Sequence, residues 1–239
     1  MISSNIYMKN VSVLLYHEIG PAPRPTANLD CFCSLAEFRK QMIFLKENNI
    51  SVVAARDVFS NIGNSIHDNL SSVVLTFDDA DTSFLKYVLP VLDEFGYPST
   101  LFAVAGLLGK NARWAKNPLN AISLMTAEQL RSLDEDKVEI GSHSMTHPKL
   151  PDLPIFEATA ELYESKARLE DILLRPVVSF AYPHGCYDAS IIHLVKAAGY
   201  KYAFTTNVNA NIHDPNNMFL LPRKYITYSE NICDFSRKI

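Results

Sequence analysis

The sequence predicts an α/β protein in which short strands alternate with longer helices around a parallel sheet or barrel. Three observations carry that expectation. Short β-branched apolar runs recur along the chain, the segments between them have the 3.6-residue period of amphipathic helices, and acids and imidazoles stand directly after several of the runs. The 239 residues carry 22 Lys and Arg against 26 Asp and Glu, a net charge of −4, with 48% hydrophobic and 20% charged residues. That balance excludes disorder and coiled coil, and a mildly acidic chain with no basic run makes a poor surface for nucleic acid or anionic membrane. The length is enough to bury a sizeable core, and no linker or internal repeat divides it, so a single domain over 1–239 is expected. No stretch approaches the roughly 18 apolar residues of a membrane span. The N-terminus MISSNIYMKN lacks the form of a secretion signal. A cytoplasmic location is therefore expected, or a periplasmic or extracellular one if a leader has been removed. Cys31, Cys33, Cys186 and Cys233 are too scattered for a disulfide framework and are expected as reduced thiols.

The expected strands are Val11–Tyr16, Ser51–Ala54, Val73–Phe77, Thr100–Val104, Val138–Ile140, Val177–Ala181, Tyr202–Thr205 and Met218–Leu221. Between the first two, Ser34-Leu35-Ala36-Glu37 has the form of a capping box, opening a helix whose Leu35, Phe38, Met42 and Leu45 share a face. A second helix is expected from about Asp81 to Phe95, stopped by Gly96, and Thr126 with Gln129 caps a third. Pro154–Leu174 reads as a long amphipathic helix, and Asp188 opens another that ends at Gly199.

Enzymes built on such sheets place their chemistry at the C-terminal ends of strands. Here VSVLLY is followed at once by His17, VVLTF by Asp78-Asp79, VEIGS by His143, and SFAYP by His184. Adjacent carboxylates on an extended segment diverge, so Asp78 and Asp79 suit different tasks, although an Asp-Asp pair is also an ordinary solvated turn. His143 and His147 stand four apart, a spacing that puts two imidazoles on one side of a helical turn, where both reach one metal ion. An HxxxH pair alone is a weak signal. Beside a strand-end carboxylate it makes three ligands with an open position, as a hydrolytic zinc site requires.

TFDDADTSFLKYVLPVLDEFGYPSTLFAV, then EIGSHSMTHPKL, then SFAYPHGCYD, resembles the polysaccharide deacetylase family, the NodB-homology carbohydrate esterases. The N-terminal YHEI and the late Leu221-Pro222-Arg223 look closest to the branch that includes the poly-N-acetylglucosamine deacetylases, and the likeness runs from about Val11 to Ile226. The resemblance implies a distorted (β/α) barrel of about seven strands and one divalent metal ion, usually zinc. It implies that Asp79, His143 and His147 hold the metal and that Asp78 is the base for the attacking water. It places the backbone N–H of His184, after Pro183, at the developing oxyanion, with Tyr182 and His184 lining the sugar site; His184 also reads as a plain loop imidazole.

The chain departs from the family pattern at several points. The Gly of TFDDG is Ala80, tolerable only if the backbone there avoids positive φ. SFAYP lacks the Arg that orients the base in many members, and no late Leu-x-His supplies an acid. Arg223 is the candidate for the first task, and otherwise a surface ion pair. His17 is the candidate for the second, because the first and last strands of a closed barrel are neighbours; otherwise it is a rim histidine bonded to backbone. His213 is a weaker candidate acid, and His67 and His193 read as solvated. Trp114, the single Trp, reads first as a packing or interface residue and second as a sugar platform. The expected function is removal of N-acetyl groups from an amino-sugar glycan or its precursor, with carbohydrate as the partner. The rivals are a deacylase of a small non-polymeric amide and an inactive carbohydrate-binding module. No protein partner is readable.

Overall fold

A computed structural model describes residues 11–24, 27–59, 71–112, 114, 121–207 and 218–239. The elements follow the hydrophobic runs: β1 (Val11–Tyr16), β2 (Glu18–Gly20), β3 (Phe32–Ser34), α1 (Leu35–Glu47), β4 (Ser51–Val52), α2 (Ala55–Phe59) and β5 (Ser72–Phe77). A π-helical turn at Phe84–Val88 then runs into α3 (Leu89–Phe95), followed by β6 (Ser99–Ala103), α4 (Ala127–Arg131), β7 (Val138–Ser142) and α5 (Ile155–Leu173). The chain closes with β8 (Ser179–Ala181), α6 (Ala189–Ala197), β9 (Tyr202–Thr205), β10 (Leu221–Pro222), β11 (Lys224–Tyr225) and α7 (Ile232–Ser236).

The strands pair in parallel in the order β10-β9-β8-β7-β6-β5-β1-β11, with β4 also on β5. That path has eight strands where about seven were implied. Closure comes from one short segment: Leu221 and Pro222 pair with Phe204 and Thr205 of β9, while Lys224 and Tyr225 pair with Leu14 and Leu15 of β1. Arg223 lies at the crossing. Pro222, which has no N–H to give a ladder, is tolerated in so short a strand.

Capping follows the sequence with one correction. Thr126 and Gln129 form both halves of a capping box, and Asp188 accepts from Ile191 N. At α1 only half of the expected box forms: Ser34 Oγ accepts from Glu37 N at 3.1 Å, but the Glu37 carboxylate pairs with Lys40 at 2.6 Å. Ser34 already belongs to the β2–β3 ladder, opposite Gly20, which leaves its backbone a sheet partner in place of Glu37.

Alternation along the strands sorts the core into two layers. Leu14, Tyr16, Leu75, Phe77, Leu101, Phe180 and Ala203 face outward into the main core shared with the helices. Val13, Val74, Phe102, Ala181, Tyr202, Phe204 and Leu221 fill the barrel interior, with Phe59 of α2 packed among them. Gly141 is required there, since a Cβ would stand 2.4 Å from the Phe102 ring. Continuing the inward register past the strand ends, from Leu15, Thr76, Gly141 and Leu221, gives His17, Asp78, His143 and Arg223. Alternation thus delivers all four to one mouth.

Candidate metal centre

Arg223 anchors the site from below. Its side chain is fully buried, with the guanidinium over the rings of Phe102 and Phe204. It donates to both oxygens of Asp78, Nη1 to Oδ1 at 2.6 Å and Nη2 to Oδ2 at 2.8 Å. A bidentate pair of this kind fixes the carboxylate's plane. Burial alone would push the Asp78 carboxyl up, but the charge and hydrogen bonds of Arg223, aided by His143, hold it well below the usual carboxylate range.

Asp79, His143 and His147 are all buried, and one ligating atom from each lies within 4.8 Å of the others. Asp79 Oδ1 stands 3.8 Å from His143 Nε2 and 3.7 Å from His147 Nε2, and the two Nε2 atoms are 3.2 Å apart. Three ligands at about 2.0–2.2 Å from a tetrahedral cation would be spaced by about 3.3–3.6 Å. Asp79 Oδ1 is buried with no hydrogen-bond partner, an arrangement that costs free energy unless a cation completes it. His143 Nδ1 lies 2.8 Å from the Ala181 carbonyl; donating there fixes the tautomer that turns the Nε2 lone pair to the cluster. Burial, then the charges of Asp78 and Asp81, push the Asp79 carboxyl well above its usual range. Burial also lowers His143, and burial with the neighbouring His143 and His184 lowers His147 to about 2. The donor set suits one divalent cation.

Two expectations about local backbone are overturned. His143 to His147 is not a helical turn: Ser144 (φ 65) and His147 (φ 69) are left-handed, and the segment is a loop. Glu161 of α5 shapes it, accepting from Met145 N and Thr146 N at 2.8 Å each and from Thr146 Oγ1 at 2.5 Å, while Ser144 Oγ accepts from His147 N. Ala80 does not avoid positive φ either. Asp79 (φ 72) and Ala80 (φ 53) are consecutive left-handed residues in the turn that aims Asp79 back over the mouth. The fully buried Ala80 is held there, its carbonyl accepting from Met125 N at 2.9 Å.

His17 lies beside this cluster with its ring stacked on Tyr225, centroids 5.6 Å apart and planes within 8°. Its buried Nδ1 has no hydrogen-bond partner, so the backbone-bonded alternative is not supported at that nitrogen. Burial lowers it to about 4, with Asp78 pulling up and Arg223 down. His184 is exposed and left-handed (φ 57), its ring 4.5 Å from that of His147. Pro183 is buried beside it. Tyr182 does not line the mouth: register turns it outward, its ring is fully buried in the main core, and its hydroxyl donates to the Phe219 carbonyl. His193 is exposed on α6, while His67 and His213 lie outside the described residues. Sequence reasoning missed Glu161 and Tyr225 and undervalued Trp114, whose ring centroid is 4.0 Å from that of His147. Only Tyr225 had a signal, as the next inward position after Arg223.

A parallel barrel whose C-terminal rim holds a buried Asp-His-His cluster beside an arginine-held carboxylate is the layout of a metal-dependent hydrolase. The chain belongs to the polysaccharide deacetylase family, whose sequence pattern matches residues 67–203. YxkH of Bacillus subtilis (strain 168) is 22% identical over 211 residues, covering 88% of this chain and 69% of that protein. Poly-beta-1,6-N-acetyl-D-glucosamine N-deacetylase of Staphylococcus aureus (strain MRSA252) is 24% identical over 200 residues, covering 81% of this chain and 67% of that protein. The deacetylase PplD of Streptococcus pyogenes, solved in complex with acetate, has the same fold, with a TM-score of 0.80 at 22% identity over 95% of this chain and 97% of that one.

Proposed function

We propose that the protein is a zinc-dependent deacetylase that hydrolyses the N-acetyl amide of an amino-sugar glycan or glycan precursor. One observation carries the reading: a carboxylate locked in place by a buried arginine stands beside a separate, unsaturated Asp-His-His cluster. A binding module has no use for that division of labour. The activity for which the Staphylococcus aureus relative is named supports the choice of an N-acetylglucosamine polymer.

A divalent cation held by Asp79, His143 and His147 would supply Lewis acidity to the attacking water and the amide carbonyl. Asp78 is the proton acceptor: Arg223 keeps it ionised and fixes its plane, so an acceptor oxygen is presented at a constant angle. The amine cannot leave as an anion, and His17 is the donor to the departing nitrogen. Since burial holds His17 near 4, it rests neutral at neutral pH and gains its proton within the catalytic cycle. In this reading the backbone N–H of His184, after Pro183, is the donor to the developing oxyanion.

The test is acetate release from N-acetylglucosamine oligomers by the zinc-loaded protein. Asp78→Asn is expected to keep its metal and lose about 10²- to 10⁴-fold in turnover. Acetate release by that variant at the wild-type rate would refute the assignment of the base, and metal content unchanged in His147→Ala would refute the cluster. Hydrolysis confined to small N-acyl amides would replace the polymer with a small substrate.

A further inference from the structure

Trp114 is the single tryptophan in the chain, and the structure places it against the ligand cluster. Its ring stacks on His147 at 4.0 Å between centroids with planes 31° apart, and His184 lies against His147 at 4.5 Å. Its indole N–H approaches the Asp79 carboxyl closely enough to favour the charged form. Asp79 Oδ1, the oxygen facing both histidines, remains without a hydrogen-bond partner. One side chain therefore covers the imidazole face of one ligand and sets its N–H beside the carboxyl of another.

We infer that Trp114 is a positioning residue for the metal, holding Asp79 in its ligating rotamer and His147 in its ring plane. The inference rests on the metal-dependent reading of the site and adds a residue to it. Asp79 is itself a left-handed residue of a strained turn and buries an oxygen with no hydrogen-bond partner, so it is the ligand most in need of support from outside the cluster. Groups that orient metal ligands typically cost about 10- to 100-fold in metal affinity when removed. A second consequence is optical: an indole packed on a ligand reports occupancy through its own emission, with no other tryptophan to mask the signal.

Two measurements decide the matter. Metal-free protein is titrated with Zn²⁺ and with Co²⁺, following tryptophan emission alongside metal uptake by competition with a chromophoric chelator. Emission should change up to one equivalent, and Co²⁺ should quench most of it. The same competition on Trp114→Phe, which keeps an aromatic ring but loses the N–H, should show at least about tenfold weaker binding and an altered Co²⁺ ligand-field spectrum. Thermal melting of the metal-free variant checks that it folds. Tight binding by Trp114→Phe with the wild-type Co²⁺ spectrum would overturn the inference while leaving the metal site standing. Stoichiometric uptake by the wild type with unmoved emission would overturn it even if the variant failed to fold. No uptake by the wild type would remove the metal site and the inference together.

Discussion

Asp79 and the two histidines approach metal binding from opposite sides of neutrality. His143 and His147 are lowered by burial and rest neutral, ready to ligate, whereas the Asp79 carboxyl is raised by burial and by Asp78. Binding must therefore expel a proton from Asp79 over the range where that group is protonated, and affinity should rise with pH there. Calorimetric titration in buffers of different ionisation enthalpy should count up to one proton released per ion; zero at every pH would show that the Asp79 carboxyl is not raised. Leu174 poses a residue-scale question of stability. It ends α5 in the left-handed region (φ 56) at 84% exposure, so its side chain gives little packing in return for the strain. Leu174→Gly should raise stability by about 1 kcal/mol, a shift of roughly 2–4 °C in Tm for a chain of this size. The individual ligands were legible in the sequence because strand ends and residue chemistry mark them. Trp114 was not, since its two partners, Asp79 and His147, lie far from it in sequence.

At the scale of elements, the loop carrying His143 and His147 depends on α5. Three donors of that loop converge on the Glu161 carboxylate, and Glu161→Ala would leave two backbone N–H groups without a protein acceptor. The cost should be about 1–3 kcal/mol, together with weaker metal binding as Ser144 and His147 relax from positive φ. Denaturant unfolding and chelator competition on one sample would read both, and an unchanged affinity would show that the loop holds itself. The i, i+4 spacing was readable, but the conformation was not: a helical turn and a pinned loop both bring two imidazoles together, and Glu161 looks like any polar residue of an amphipathic helix. The short final strands were hard to read for another reason. Neither Leu221–Pro222 nor Lys224–Tyr225 is long enough to show alternation, so the eight-strand path emerges only from the pairing.

For the whole molecule, buried groups shifted in opposite directions offset one another. The lowered imidazoles of His17, His143 and His147 favour the folded state above the unfolded histidine pKa near 6.5, and that stability is lost as pH falls towards about 4. Asp79, and Asp81 raised by burial to about 7, act the other way, stabilising at low pH and losing that contribution as pH rises. Metal-free stability should therefore vary little between about pH 5 and 7, and the stabilisation by zinc should grow with pH, reaching about 4 kcal/mol at a thousand times Kd. Melting curves with and without zinc across that range would check both. The crossing at Arg223 ties assembly to chemistry. Leu14 finds Lys224, and Phe204 finds Leu221, only when β10 and β11 are in place, and the residue between those two contacts is the counter-ion of Asp78. A ribosome-bound chain ending before Leu221 would expose two open strand edges and leave Asp78 buried without its cation. Strands β10 and β11 thus both seal the barrel and complete the charge pair, so a product truncated before them has neither a finished sheet nor a neutralised Asp78.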